Sequence, residues 1–150
     1  MFVPPYAAIL RAIGTSAPAL DTATDIKIPV SLFKHLMSIA VANGGFNEAS
    51  YLAANADVAA AIRSGSITVS AKEHYINYGY FEARHGATAP NVDEIWYRSA
   101  NPDVAAAVRS GHLASGQEHF DVVGAEEFRV PNQAVEKEVA EWKKAVGKAS

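Results

Sequence analysis

The chain has 150 residues, a net charge of −3 and no cysteine. These values exclude disulfides, thiolate catalysis and cysteine-ligated zinc, and they argue against the phosphate neutralisation that nucleic-acid binding requires. With 49% hydrophobic and 19% charged residues, the composition is that of a globular chain able to bury a core.

The first stretch, MFVPPYAAILRAIGTSAPAL, is apolar and ends in small residues, as a secretory leader does. It lacks a basic start, and Pro4 and Pro5 interrupt the place of an apolar core segment, so it is read as part of the domain, with a cytoplasmic location expected. A short helix is predicted over residues 4–13, with Tyr6, Ile9, Leu10 and Ile13 along one side. Residues 21–29 read as an irregular connection. Ser31 then stands where a cap belongs, before an apolar helix LFKHLMSIAVAN closed by Gly44-Gly45. The width of its apolar surface predicts a helix packed centrally against the two repeats that follow it. No apolar run reaches the roughly 18 residues of a membrane span, and none is expected.

The middle of the chain repeats itself. Residues 46–84 read FNEASYLAANADVAAAIRSGSITVSAKEHYINYGYFEAR, and residues 92–129 read VDEIWYRSANPDVAAAVRSGHLASGQEHFDVVGAEEFR. An offset of 46 aligns Glu48 with Glu94 through Gly65 with Gly111, and an offset of 45 aligns Ser70 with Ser115 through Arg84 with Arg129. Such self-similarity marks a supersecondary unit that buries its apolar face against a neighbour. Each copy is predicted to hold three short helices. The first follows Asn47 or Asp93, and the second follows Asn55 or Asn101 with Asp57 or Asp103 in its first turn, where the helix dipole favours a carboxylate. Pro102 suits the first helical position, and Gly65 or Gly111 suits the stop. The third helix opens with the capping-box pairs Ser70/Glu73 and Ser115/Glu118 and is expected to end at Gly79 or Gly124.

A final helix is predicted over residues 133–146, with Val135, Val139, Trp142 and Val146 at helical spacing. Strand-like alternation is weak, confined to residues 26–30 and 67–69. The fold class expected is therefore all-α: a small bundle of short helices with two pseudo-equivalent three-helix repeats. Its domain organisation is expected to be a single domain over 1–150: an N-terminal helical segment 1–45, repeats at 46–84 and 92–129, and a C-terminal helix within 130–150.

The phrases YLAANADVAAAIRSG…HYINYGYFEAR and NPDVAAAVRSG…HFDVVGAEEFR resemble a tandem helical repeat of bacterial, especially proteobacterial, proteins, of the form YLxxNPDVAxAVxxG…HYxxxGxxEGR. The resemblance covers about half the chain. It implies a small helical accessory module found beside glycosyltransferase or methyltransferase domains and in surface proteins with calcium-binding repeats, without catalytic residues of its own. This chain departs from the pattern at Ala56 in place of the proline, at Ala83 and Phe128 in place of the last glycine, and at Arg98 in place of the leucine. The calcium association does not carry over, because no Gly-Gly-x-Gly-x-Asp repeat or acidic EF-hand loop is present.

Among chemistry-bearing residues, His74 and His119 form the sharpest pair, each following a capping glutamate and preceding an aromatic residue. Equivalent histidines could bind a metal or exchange protons, but no HExxH or other tight spacing supports a ligand set, and a structural hydrogen bond explains them better. Glu82 with Arg84 and Glu127 with Arg129 read as ion pairs fixing a turn. Tyr75, Tyr78, Tyr80 and Phe81 form an aromatic group that could stack on sugar rings or pack as a seam, and Trp96 and Trp142 join them as a candidate ligand or partner surface. His35, His85 and His112 share no spacing. No catalytic, cofactor or metal residues are assigned. The leading expectation is a non-catalytic protein-interaction or scaffolding module with a protein partner or self-association, linked through the resemblance to polysaccharide or envelope synthesis. The alternatives are a carbohydrate or small-ligand binding module, and an enzyme using His74 and His119.

Overall fold

The computed structural model describes residues 2–86 and 91–147, and among these all regular structure is helical, with no strand. Residues 26–30 and 67–69, the weak strand signals, form none. The chain divides into two compact units, Met1–Asn43 and Gly44–Ser150, the boundary falling at the Gly44-Gly45 pair.

The first unit holds three helices. Pro5, extended at ψ 142°, leads into α1 (Tyr6–Ala12), whose Leu10 is buried. Helix α2 (Ala17–Thr22) occupies residues expected in part to be irregular; its start has Ser16 before it and a proline in its first turn, a position where the missing N–H costs nothing. Helix α3 (Val30–Asn43) begins before Ser31, because the Pro29 carbonyl already accepts from the Phe33 N–H at 3.0 Å. None of its residues is buried, and half of the Phe33 and Leu36 surfaces is exposed. Apolar width shows that a helix can be covered, but it does not supply the cover.

In the second unit two stretches run through the same order of elements. The first comprises α4 (Glu48–Ala54), α5 (Ala56–Arg63) and α6 (Ala71–His74), which continues into a π-helical turn at Tyr75–Gly79. The second comprises α7 (Glu94–Ala100), α8 (Pro102–Arg109) and α9 (Gly116–His119), continuing into a π-helical turn at Phe120–Gly124. Asn47 caps α4 by accepting from the Ser50 N–H, and Asp93 caps α7 by accepting from the Ile95 and Trp96 N–H groups. The α-helices then turn back on one another so that one tyrosine of each stretch, Tyr51 or Tyr97, is wholly enclosed, with Val58 or Val104 beside it. Burying side chains of this kind stabilises by about 1.5–3 kcal/mol each.

Around Tyr51 the packing is aromatic, with Phe46 at 5.5 Å and Tyr75 at 5.4 Å between ring centres. Around Tyr97 it is Phe120 with the aliphatic Val92, Val108 and Leu113. After the second stretch, Pro131 is buried and its carbonyl accepts from the Asp93 N–H at 3.0 Å, which ties the exit of this stretch to its own entrance. Asn132 adds a bond to the Asn91 carbonyl and caps the 3₁₀ turn Gln133–Val135 that leads into α10 (Glu136–Ala145). No helix among the described residues is long and apolar enough to cross a membrane.

Candidate functional site

His74 and His119, the sharpest pair in the sequence, are each committed to a bond within their own stretch. The Tyr51 hydroxyl and His74 Nδ1 share a hydrogen bond of 3.0 Å, and Tyr97 and His119 share one of 2.9 Å. Each histidine thus pairs with its own enclosed tyrosine and orients that phenol. Burial pushes the Tyr97 hydroxyl up to about 12, so it stays protonated as a hydrogen-bonding group. Among the described residues, no three His, Asp or Glu side chains gather so as to hold a metal ion.

Gly79 and Gly124 explain why this bond can form. They were expected to end the third helix, but the backbone continues helically through Tyr80 and Ala125. Their role is close approach: a Cβ on Gly79 would overlap the Tyr51 hydroxyl, and one on Gly124 would lie 2.5 Å from the Tyr97 hydroxyl. The stop comes later. The Arg84 N–H reaches the Gly79 carbonyl at 2.9 Å and the Ala83 N–H reaches Tyr80 at 3.2 Å, and Arg129 and Phe128 repeat both bonds to Gly124 and Ala125. That is a Schellman closure, which needs a left-handed residue, and Ala83 (φ 53°) and Phe128 (φ 57°) fill it without being glycine. Both carry the strain that a left-handed backbone imposes on a residue with a Cβ.

This closure aims the next residue. Arg84 Nη1 donates to Asn55 at 3.4 Å and pairs with Asp57 at 2.8 Å, while its Nε donates to Glu82 at 2.7 Å. Arg129 does the same with Asn101, Asp103 and Glu127, and here both guanidinium Nη atoms engage the Asp103 carboxylate. The hydrogen bond from Arg129 holds Asp103 down at about 2. Asn55 and Asn101 were expected as side-chain caps. Instead their amides donate back to the Tyr51 and Tyr97 carbonyls at 2.8 Å, so each links helix, tyrosine and arginine. No buried side-chain nitrogen or oxygen among the described residues lacks a hydrogen-bond partner.

A cleft of about 360 Å³ opens between the two stretches. One wall is Tyr75, Tyr80 and the turn from Ala83 to Gly86; the other is Phe120, Asp121, Ala125, Glu126 and Phe128. Tyr75 is buried and stands perpendicular to the partly exposed Tyr80 ring. Tyr78 is exposed beside His74, outside the cleft lining, and Phe81 packs edge-on against Tyr80. Trp96 is half-buried on α7. Trp142 lies half exposed on α10, which has no buried residue, so it does not close a core there. The candidate surface residues therefore separate into a cleft pair, Tyr75 and Tyr80, and scattered positions. Sequence reasoning missed Phe128 and Asp121, whose only signal was their place just past, or within, the third helix.

No protein-family model, no curated protein and no solved structure matches the chain.

Proposed function

We propose that the protein is a non-catalytic interaction module that presents a rigid helical surface to a protein partner or to a second copy of itself. One observation carries this reading: the same tyrosine–histidine bond and the same asparagine–arginine–aspartate tie occur at equivalent positions in both stretches, and both spend their polar groups on holding helices together. A duplicated acid–base site would leave at least one of those groups facing substrate. Exposed aromatic side chains at Tyr78, Tyr80 and Trp142 supply the contact chemistry that interfaces favour. The link to polysaccharide or envelope synthesis rests on the sequence resemblance alone.

The test pairs light scattering after size exclusion with capture from host lysate, using the wild type and a Tyr78→Ala/Tyr80→Ala/Trp142→Ala variant. The expected result is a partner, or a dimer, that the wild type retains and the folded variant loses. A monomer that captures nothing, or identical capture by both proteins, overturns the reading.

A further inference from the structure

We propose that the cleft between the two stretches binds a single neutral sugar residue, with the Tyr75 hydroxyl donating to it. This goes beyond the interaction-module reading and does not depend on it. Only 7% of the Tyr75 surface is exposed, yet its hydroxyl bonds to no described residue, whereas Tyr51 and Tyr97 each bond a histidine. The oxygen is not sealed in, because no enclosed side-chain oxygen among the described residues lacks a partner, and the side chain lines the cleft. A buried phenol left without a partner costs stability, and water or a ligand has to supply the bond.

The fold needs the ring at this position and not the oxygen. Phe120 is the aligned residue of the second stretch, is similarly buried, and stands across the Tyr97 ring as Tyr75 stands across the Tyr51 ring. Burial pushes the Tyr75 hydroxyl up, so it stays protonated and donates. Tyr80, aligned with Ala125, brings a second hydroxyl that bonds to no described residue, its ring centre 6.1 Å from that of Tyr75.

Charge selects neither a cation nor an anion. Glu126 has a partner of its own, so the lining sets one carboxylate, Asp121, against one cation, Arg84. Both keep hydrogen-bonding capacity. Arg84 commits Nε and Nη1 but not Nη2, and Asp121 accepts from Gln117 through Oδ1, leaving Oδ2. Donors therefore stand on the first stretch and an acceptor on the second, with the Tyr80 and Phe120 rings beside them. A pyranose matches that pattern, since its hydroxyls donate and accept around a ring whose C–H face packs on an aromatic surface. A lone amide offers one oxygen to the three donors. The volume of about 360 Å³ lies at the small end of the range for ligand pockets, roughly 300–1,000 Å³, and suits one ring rather than a chain of them.

Titration of the full chain followed by amide NMR tests this, with methyl glucoside, methyl galactoside and N-acetylglucosamine as probes and N-acetylglutamine methylamide and glycerol as controls. At least one sugar is expected to shift the Tyr80, Gly86 and Phe120 amides saturably at millimolar concentration, with both controls at least about fivefold weaker. Tyr75→Phe gives the side chain of the aligned position, so the thermal midpoint should stay unchanged or rise. Sugar binding in that variant should weaken by about 2- to 10-fold, the equivalent of one neutral hydrogen bond. Asp121→Ala is expected to weaken it at least as much from the opposite wall. No saturable shift with any of the three sugars, equal shifts from either control, or unchanged affinity in Tyr75→Phe overturns the assignment. So does a lowered midpoint in Tyr75→Phe, since the fold would then be using the hydroxyl. Partner capture that persists in any of these cases leaves the module reading standing.

Discussion

The two stretches of the second unit use one hydrogen-bonding plan with two different fillings. Around Tyr51 the space is taken by Phe46 and Tyr75; around Tyr97 it is taken by Phe120 and the aliphatic Val92, Val108 and Leu113. His74 is buried, whereas His119 is only partly so. The second stretch has a further fastening. The Glu94 carboxylate accepts from the Gly116 and Gln117 N–H groups at 3.0 and 2.8 Å, capping α9 from another helix. Its approach depends on Gly116, since a Cβ there would meet Glu94 Oε2 at 3.1 Å and the Tyr97 ring at 2.9 Å. In the first stretch that position is Ala71, and its third helix has the reciprocal Ser70/Glu73 box instead. The polar ties thus set the shape, and the filling is free to vary.

The strongest way to break that equivalence is to block the shared close approach. Gly124→Ala places a methyl group against the Tyr97 hydroxyl, and Tyr97 is fully enclosed and cannot swing away. Overpacking together with loss of the tyrosine–histidine bond is expected to cost about 3 kcal/mol, read by urea denaturation. Gly79→Ala should cost a similar amount; a tolerated substitution at either site would show that the tie is not what holds the stretch. Next comes the bond itself. Tyr51→Phe strands the buried His74 nitrogen and should cost about 2 kcal/mol, while Tyr97→Phe should cost less because water can reach His119. Equal costs would mean that the difference in burial is immaterial.

Much of this plan was legible before any coordinates. The all-α class, the N-caps at Asn47 and Asp93, the Ser70/Glu73 box and the stops at Gly65 and Gly111 are local signals, each contained within about four residues. What escaped sequence reading needed partners distant in the chain. Asn55 has the residue type of a cap but bonds to Arg84, 29 residues away, and Gly79 looks like a stop but is small because Tyr51 lies against it. The Ser115/Glu118 pair also looks reciprocal, yet Glu118 accepts from the Ala114 N–H in place of Ser115. The cleft was least legible, because its two walls lie about 45 residues apart in sequence.

Smaller substitutions sharpen the contrast. Glu94→Gln should cost about 1 kcal/mol through the lost charge at the start of α9, whereas Glu48→Gln at the matching position should be near neutral. Matched thermal melts of the two variants check this, and equal shifts would remove the asymmetry. Ala83→Gly should act in the opposite direction. It relieves a left-handed alanine at φ 53° and is expected to stabilise by up to about 1 kcal/mol, less than the full strain because glycine also loosens the unfolded chain.

The smallest expected effect is the acid limb. Asp103 is held at about 2 by its bond from Arg129, against an ordinary value of 3.8, so the folded state binds its proton more weakly than the unfolded chain does. Stability from this pair is then fully present above about pH 4 and is lost as the pH falls through about 2. Because the Asp103 side chain is 58% exposed, solvent screening keeps the contribution within about 1 kcal/mol. Asp57 is lowered for the same reason, through its bond from Arg84, but with a single guanidinium nitrogen within reach where Arg129 uses two. Carboxyl NMR titration should therefore find Asp103 releasing its proton at lower pH than Asp57. Asp103→Asn should flatten the acid dependence of stability more than Asp57→Asn does. If the two aspartates titrate together, the two-pronged grip of Arg129 adds nothing in solution, and the two stretches differ in filling but not in the strength of this tie.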